Sequence, residues 1–279
     1  MAYTAEIRRT SPGCICIVID QSGSMADAIA GGEATNSKAQ FVADAVNRIL
    51  ESLVIRCAKG EEIRDYFDIA VIGYGTAVGS AFGGILAGRS VVSLSELANN
   101  PARVEDRHKK ISDGAGGIVE TSVKFPIWVD PIANGGTPMR QALSLVKQTV
   151  ESWVAVHPTS FPPVVIHFTD GESTDGDPTS AAESVQGVET TDGATIVLNG
   201  HVSSRGGAEI VFPDALANLP DQFAQTLFSM SSILPPRMSQ EAQALGFSAT
   251  EASRAFIYNA RGEHVVGMLE IGTRAANLR

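Results

Sequence analysis

The chain has 279 residues, 44% of them apolar, which suits a sizeable core in one large domain or two small ones and excludes a disordered or fibrous class. Its formal net charge of −10 argues against long unassisted contact with nucleic acid or anionic lipid, which carry the same sign, and suits a bound cation. No apolar run approaches the roughly 20 residues that cross a bilayer, and the opening MAYTAEIRRTSPG lacks an apolar signal-peptide region, so a cytoplasmic protein with no nucleic-acid or membrane partner is expected. Cys14, Cys16 and Cys57 form an odd set, expected as buried free thiols in a reducing compartment.

Apolar runs alternate with amphipathic stretches, the pattern of an α/β fold with a central, mostly parallel sheet, one antiparallel edge and helices on both faces. Strands are predicted at 14–20, 67–75, 163–170 and 194–202, rich in Ile and Val as befits burial on both sides. A helix is predicted over 37–58, where Phe41, Val42, Ala45, Ile49 and Leu53 fall near helical spacing behind a capping Ser37. A second is predicted over 138–156, with Pro138 opening it and Thr137 at the N-cap. Residues 79–129 break this rhythm and read as an elaborated antiparallel edge insertion, with short strands near 80–86 and 118–129 around a surface loop containing the solvated charge run RVEDRHKK. A strand at 209–212 and helical stretches at 214–233 and 235–253 follow, and the tail from Glu263 is helix or strand by period alone. No linker or repeat divides the chain, so 1–279 reads as one domain, with 231–279 as an extension packed on it.

Three polar clusters leave predicted strands or precede helices: DQSGS at 20–24, NGGTP at 134–138 and TDGEST at 169–174. Singly, each is an ordinary turn or cap. Together, Asp20, Ser22, Ser24, Thr137 and Asp170 from these clusters offer two carboxylates and three hydroxyls where loops of an open sheet converge, an all-oxygen set that suits a hard divalent ion held at about 2.1 Å, Mg2+ before Mn2+ or Ca2+. With no thiolate or imidazole in the set, zinc and copper are disfavoured.

Asp20, Ser22 and Ser24 resemble the D-x-S-x-S signature of von Willebrand factor A domains, and Thr137 in GGTP and Asp170 in FTDGE are similar to the other two elements of that family's metal-ion-dependent adhesion site. The resemblance, strongest over residues 13–230, implies a Rossmann-like sheet. It also implies that Ser22, Ser24 and Thr137 bind Mg2+ directly, that Asp20 and Asp170 act mainly through water, and that one position stays open for a Glu or Asp carboxylate of a protein partner. The missing signal region, the thiols and the segments LFSMSSILPP and LEIGTR resemble stand-alone bacterial members of tellurite-resistance type, which implies a non-enzymatic regulatory or stress-response module.

Other readings are weaker. An accessory subunit of an AAA+ chelatase-type machine is an alternative, and the chain contains no P-loop of its own. A haloacid-dehalogenase-like phosphohydrolase needs a second carboxylate where Ser22 stands. GYGTAVG (73–79) has the wrong glycine spacing for a dinucleotide loop, and DGESTDGDPTSA (170–181) lacks the closing glutamate of a calcium loop. His167, inside a predicted strand, reads as a hydrogen-bonded core residue.

Overall fold

The computed structural model describes residues 3–29, 37–112, 118–203 and 207–274. Its centre is β1 (Gly13–Asp20), buried along its whole length, with β2 (Phe67–Tyr74) parallel on one side and β7 (Val164–Thr169) parallel on the other. Beyond β7 lie β8 (Ile196–Val202) and β10 (Phe256–Ala260), both parallel, and then β9 (Ile210–Val211), antiparallel to β10. On the opposite edge β3 (Val78–Ser80) and β4 (Val92–Ser93) pair antiparallel to β2. The result is an α/β fold of Rossmann-like layout, with antiparallel strands at both margins of the sheet.

Period-two alternation along β1 divides the core. Ile15, Ile17 and Ile19 face the layer of α1 (Lys38–Cys57), while Cys16 and Val18 face that of α3 (Met139–Val156). Each fully buried isoleucine contributes roughly 1.5–3 kcal/mol, so slipping β1 by one residue would exchange the two layers and misfit both. α1 starts as expected, with Ser37 Oγ accepting from Gln40 N–H at 3.1 Å. The second layer is completed by α4 (Thr179–Gln186) and α5 (Gln222–Ser229), and the first by α6 (Pro236–Ala244) and α7 (Gly262–Arg274). The cysteines are buried free thiols, and burial pushes Cys16 up to about 12 and Cys57 up to about 11.

The structure departs from expectation at five places. The charge run is not a loop: β5 (Arg103–Ser112) pairs antiparallel with β6 (Ile118–Ile127) over ten residues each, in a ribbon separate from the main sheet. Residues 103–108 of β5 are exposed or half-buried, so the charge run lacks the apolar alternation that betrays a half-buried strand, whereas β6 is the strand expected near 118–129. The strand expected near 80–86 ends at Ser80 and gives way to a 3-10 turn at Gly84–Leu86, and the short α2 (Leu94–Asn99) was not foreseen. Helix 214–233 is shorter, a 3-10 turn at Leu216–Asn218 followed by α5. Within 231–279, β10 was not foreseen either, and it stands inside the sheet between β8 and β9.

The ribbon is anchored to α1 by one buried amide. Asn47 Oδ1 accepts from Trp128 N–H at 2.9 Å and Val129 N–H at 3.1 Å, and its Nδ2 donates to Val129 C=O at 2.9 Å. Farther along, the Arg107 guanidinium lies 3.9 Å from the Phe125 ring centre and donates to Asp44 at 2.9 Å. Asn47→Ala strands two buried N–H donors and is expected to lower the unfolding free energy by about 2–4 kcal/mol. Urea unfolding measures this, and a loss below about 0.5 kcal/mol would mean the amide anchors nothing.

Candidate metal centre

The chain leaves β1 toward β2 on one side and returns at β7 on the other, so the C-terminal ends of β1 and β7 open a crevice at a topological switch point. Asp20 is the last residue of β1 and Thr169 the last of β7. Asp20 Oδ1 accepts from Ser22 N–H at 2.8 Å, closing a tight turn, and Oδ2 accepts from Thr169 Oγ1–H at 2.7 Å. Burial pushes the Asp20 carboxyl up from its ordinary range; the bonds from Ser22 and Thr169 oppose this and nearby Asp170 adds to it.

The turn brings Ser22 Oγ to 3.1 Å from Ser24 Oγ, and Ser24 Oγ donates to Asp170 Oδ1 at 2.7 Å. Asp170 Oδ2 is buried without a hydrogen-bond partner among the described residues; its contact is the ammonium of Lys38, 2.5 Å away. The second loop is threaded against the first by backbone bonds, Gly23 N–H to Gly135 C=O at 3.0 Å and Asn134 N–H to Gln21 C=O at 2.7 Å. Gly135 has a φ of +87°, and a Cβ there would lie 2.4 Å from Thr76 N, so only glycine fits this crossing.

Thr137 does not cap α3, as its position in the sequence suggested. The N-cap is Pro138, and the free N–H groups of Arg140 and Gln141 donate instead to the Asp175 carboxylate, both at 3.0 Å. Thr137 N–H donates to Thr174 Oγ1 at 3.0 Å and its C=O accepts from Thr174 N–H at 2.9 Å, so the third loop holds the second. A side chain at Gly171 would begin 3.9 Å from Thr137 Oγ1 and 4.0 Å from Ser24 Oγ; the two hydroxyls flank one point. All five oxygen-bearing residues singled out in the sequence therefore stand around one crevice. Thr169, Lys38, Thr174 and Asp175 were missed; Thr169 and Thr174 lie inside TDGEST and Asp175 just after it, whereas Lys38 belongs to none of the three polar clusters.

The donor set fits a hard divalent ion: three neutral hydroxyls, two carboxylates, and an Asp20 carboxyl short of compensating positive charge. Glu209, Glu263 and His264 form a second grouping with metal-like spacing. There Arg261 Nε already pairs with Glu209, and His264 Nδ1 accepts from Arg261 N–H at 3.2 Å, leaving Nε2 as the proton-bearing nitrogen facing Glu209. That arrangement is an ion-pair cluster.

Beneath the crevice Tyr74, the register partner of Asp20, starts a buried relay. Its hydroxyl donates to His167 Nε2 at 2.6 Å, His167 Nδ1–H to Asn199 Oδ1 at 2.8 Å, and Asn199 Nδ2–H to Ser231 Oγ at 2.9 Å. His167 is thus the hydrogen-bonded core residue expected, and burial pushes it down to about 4 despite the Asn199 bond.

No protein-family model and no curated protein matches the sequence. Among solved structures, proximal thread matrix protein 1 from the mussel byssus aligns with 82% of this chain and 43% of its own at 15% identity, with a TM-score of 0.43. Manganese-loaded TRAP protein of Plasmodium vivax aligns with 82% and 67% at 12% identity and a TM-score of 0.39. The ArnB paralog VWA2 of Sulfolobus acidocaldarius aligns with 68% and 35% at 14% identity and a TM-score of 0.35. The chain spans less than half the length of the first of these. Likeness this remote transfers no residue roles, which rest on the geometry above.

Because His167 is neutral when folded and accepts a proton more readily when unfolded, its contribution is complete above its ordinary value of 6.5 and is lost as pH falls from there toward 4. Urea midpoints are expected to decline across that window by an equivalent of up to about 3 kcal/mol, and His167→Gln to flatten the decline. An unchanged slope in the variant would place the acid sensitivity elsewhere.

Proposed function

We propose that this chain is a von Willebrand A-type binding module that holds a divalent cation, Mg2+ by preference, between Asp20, Ser22, Ser24, Thr137 and Asp170 and uses it to capture an acidic side chain of a protein partner. The observation that carries this reading is the meeting of three separate loops, with three hydroxyls and two carboxylates, at the switch point of the sheet. When bound, the ion supplies a Lewis-acidic position for a Glu or Asp carboxylate. The residues of the chain do the rest. Ser22, Ser24 and Thr137 present neutral oxygens, which leave the ion electrophilic where three direct carboxylates would satisfy it. Asp20 and Asp170 supply charge from behind, held by Thr169 and Ser24. The backbone bonds among the loops fix these groups before any ligand arrives, which limits the ordering cost of binding.

The module acts by binding and not by catalysis. Its setting is the cytoplasm, in a bacterial regulatory or stress-response system, and residues 1–279 form one domain. Asp20→Ala and Asp170→Ala are each expected to abolish calorimetric Mg2+ or Mn2+ binding while circular dichroism stays that of the parent; undiminished binding in both variants refutes the site. Thr137→Ala is expected to weaken an acidic partner at least tenfold in Mg2+, an effect of about 1.4 kcal/mol or more. A partner that binds equally well in EDTA would refute the capture mechanism.

A further inference from the structure

The crevice contains a cation of the protein's own. Lys38, the first residue of α1, keeps only 4% of its side chain exposed, and its Nζ lies 2.5 Å from Asp170 Oδ2 and 3.7 Å from Asp27 Oδ2. Its backbone N–H donates to Asp27 C=O at 2.8 Å, tying the start of α1 to the loop that carries Ser22 and Ser24. The Asp170 side chain is fully enclosed, and its other oxygen accepts from Ser24. One carboxylate therefore faces the hydroxyl set with Oδ1 and a buried ammonium with Oδ2.

That second neighbour changes the charge of the site. Lysine is almost never fully buried unless paired, and here the pair partner is one of the two carboxylates offered to the cation. The ammonium neutralises one of their two negative charges. Counting the enclosed groups alone, since the Asp27 carboxylate is 64% exposed and screened by water, a divalent ion added to the crevice then leaves a net positive charge, whereas without Lys38 it would leave none. Asp170 is also held by Ser24 and by the end of β7, so losing Lys38 would disorder the carboxylate less than it would relieve repulsion between two cations sharing it in a poorly solvated pocket.

We propose that Lys38 is a built-in counter-cation of Asp170, which weakens retention of the metal alone and leaves the occupied site with an unbalanced positive charge that an acidic partner must meet. Metal binding and carboxylate binding are thereby coupled, and Asp170 has a charge partner whenever the ion is absent. This inference rests on the metal-site reading above.

The test uses the full chain and Mn2+ alone. Calorimetric titration compares the parent with Lys38→Met, which keeps an unbranched side chain one atom shorter and without the charge, and with Lys38→Arg, which keeps the charge. Lys38→Met is expected to bind Mn2+ about tenfold more tightly, and Lys38→Arg to stay within about threefold of the parent. Melting supplies a second readout: Lys38→Met melts lower than the parent in EDTA, where Asp170 has lost its counter-charge, and gains more than the parent on addition of Mn2+. If Lys38→Met folds only with metal, Lys38→Gln takes its place in the titration, with the same expectation. A parent that binds Mn2+ while the neutral variants bind equally or more weakly overturns the role of Lys38 and leaves the metal site standing. A parent that binds no Mn2+ overturns both.

Discussion

The bond from Thr169 Oγ1 to Asp20 Oδ2, 2.7 Å long and buried, is the contact on which the rest of the crevice depends. It joins the last residues of the two central strands, so the aim of the Asp20 carboxylate is set by the sheet and not by the mobility of a loop. Because Oδ2 is occupied from β7, Oδ1 remains to receive the Ser22 N–H, and that turn places Ser22 and Ser24 on one side of the opening. Asp170, one residue beyond Thr169, then meets Ser24 directly. A single hydroxyl between two strands thus orients both acidic residues of the proposed site.

Around this contact, charge is distributed sparingly. Asp20 is enclosed, and burial is the main influence on its carboxyl. Asp170 is enclosed as well but faces Lys38. The two carboxylates are therefore unequal, one waiting for positive charge and one already supplied with it. The hydroxyls between them add oxygen donors without adding charge, the combination that favours an ion with appetite left for an external anion. The loops show the same division of labour in their backbones: Gly135 permits a crossing too close for any side chain, and Asp175 relieves Thr137 of capping α3.

Legibility from sequence followed burial. β1, β2, β7 and β8 were readable because strands covered on both faces are continuous apolar runs, and α1 and α3 because each buries one stripe. In the ribbon, β6 was readable as the strand expected near 118–129, whereas its partner β5 was not, since a strand that buries little carries little pattern. β10 was hidden for another reason: five residues in a Pro-broken, helix-rich tail give no signal until β8 provides an edge to pair with. In the site, side chains announced as oxygen donors by short motifs were found, whereas Lys38 belongs to no motif and Thr169, though it opens TDGEST, acts as Lys38 does only through a distant partner, 149 residues away for Thr169 and 132 for Lys38.

By itself, then, the sequence determined the layered α/β plan, the three polar loops and the all-oxygen chemistry of their side chains, because periodicity and residue type are local properties. Only the tertiary structure decided that Thr137 is not a helix cap, that Thr169 aims Asp20, and that a buried ammonium stands behind Asp170. Those outcomes depend on which distant groups compete for the same hydrogen bond or charge. That competition is settled when β1, β7 and α1 pack together, and no stretch of the chain encodes it alone.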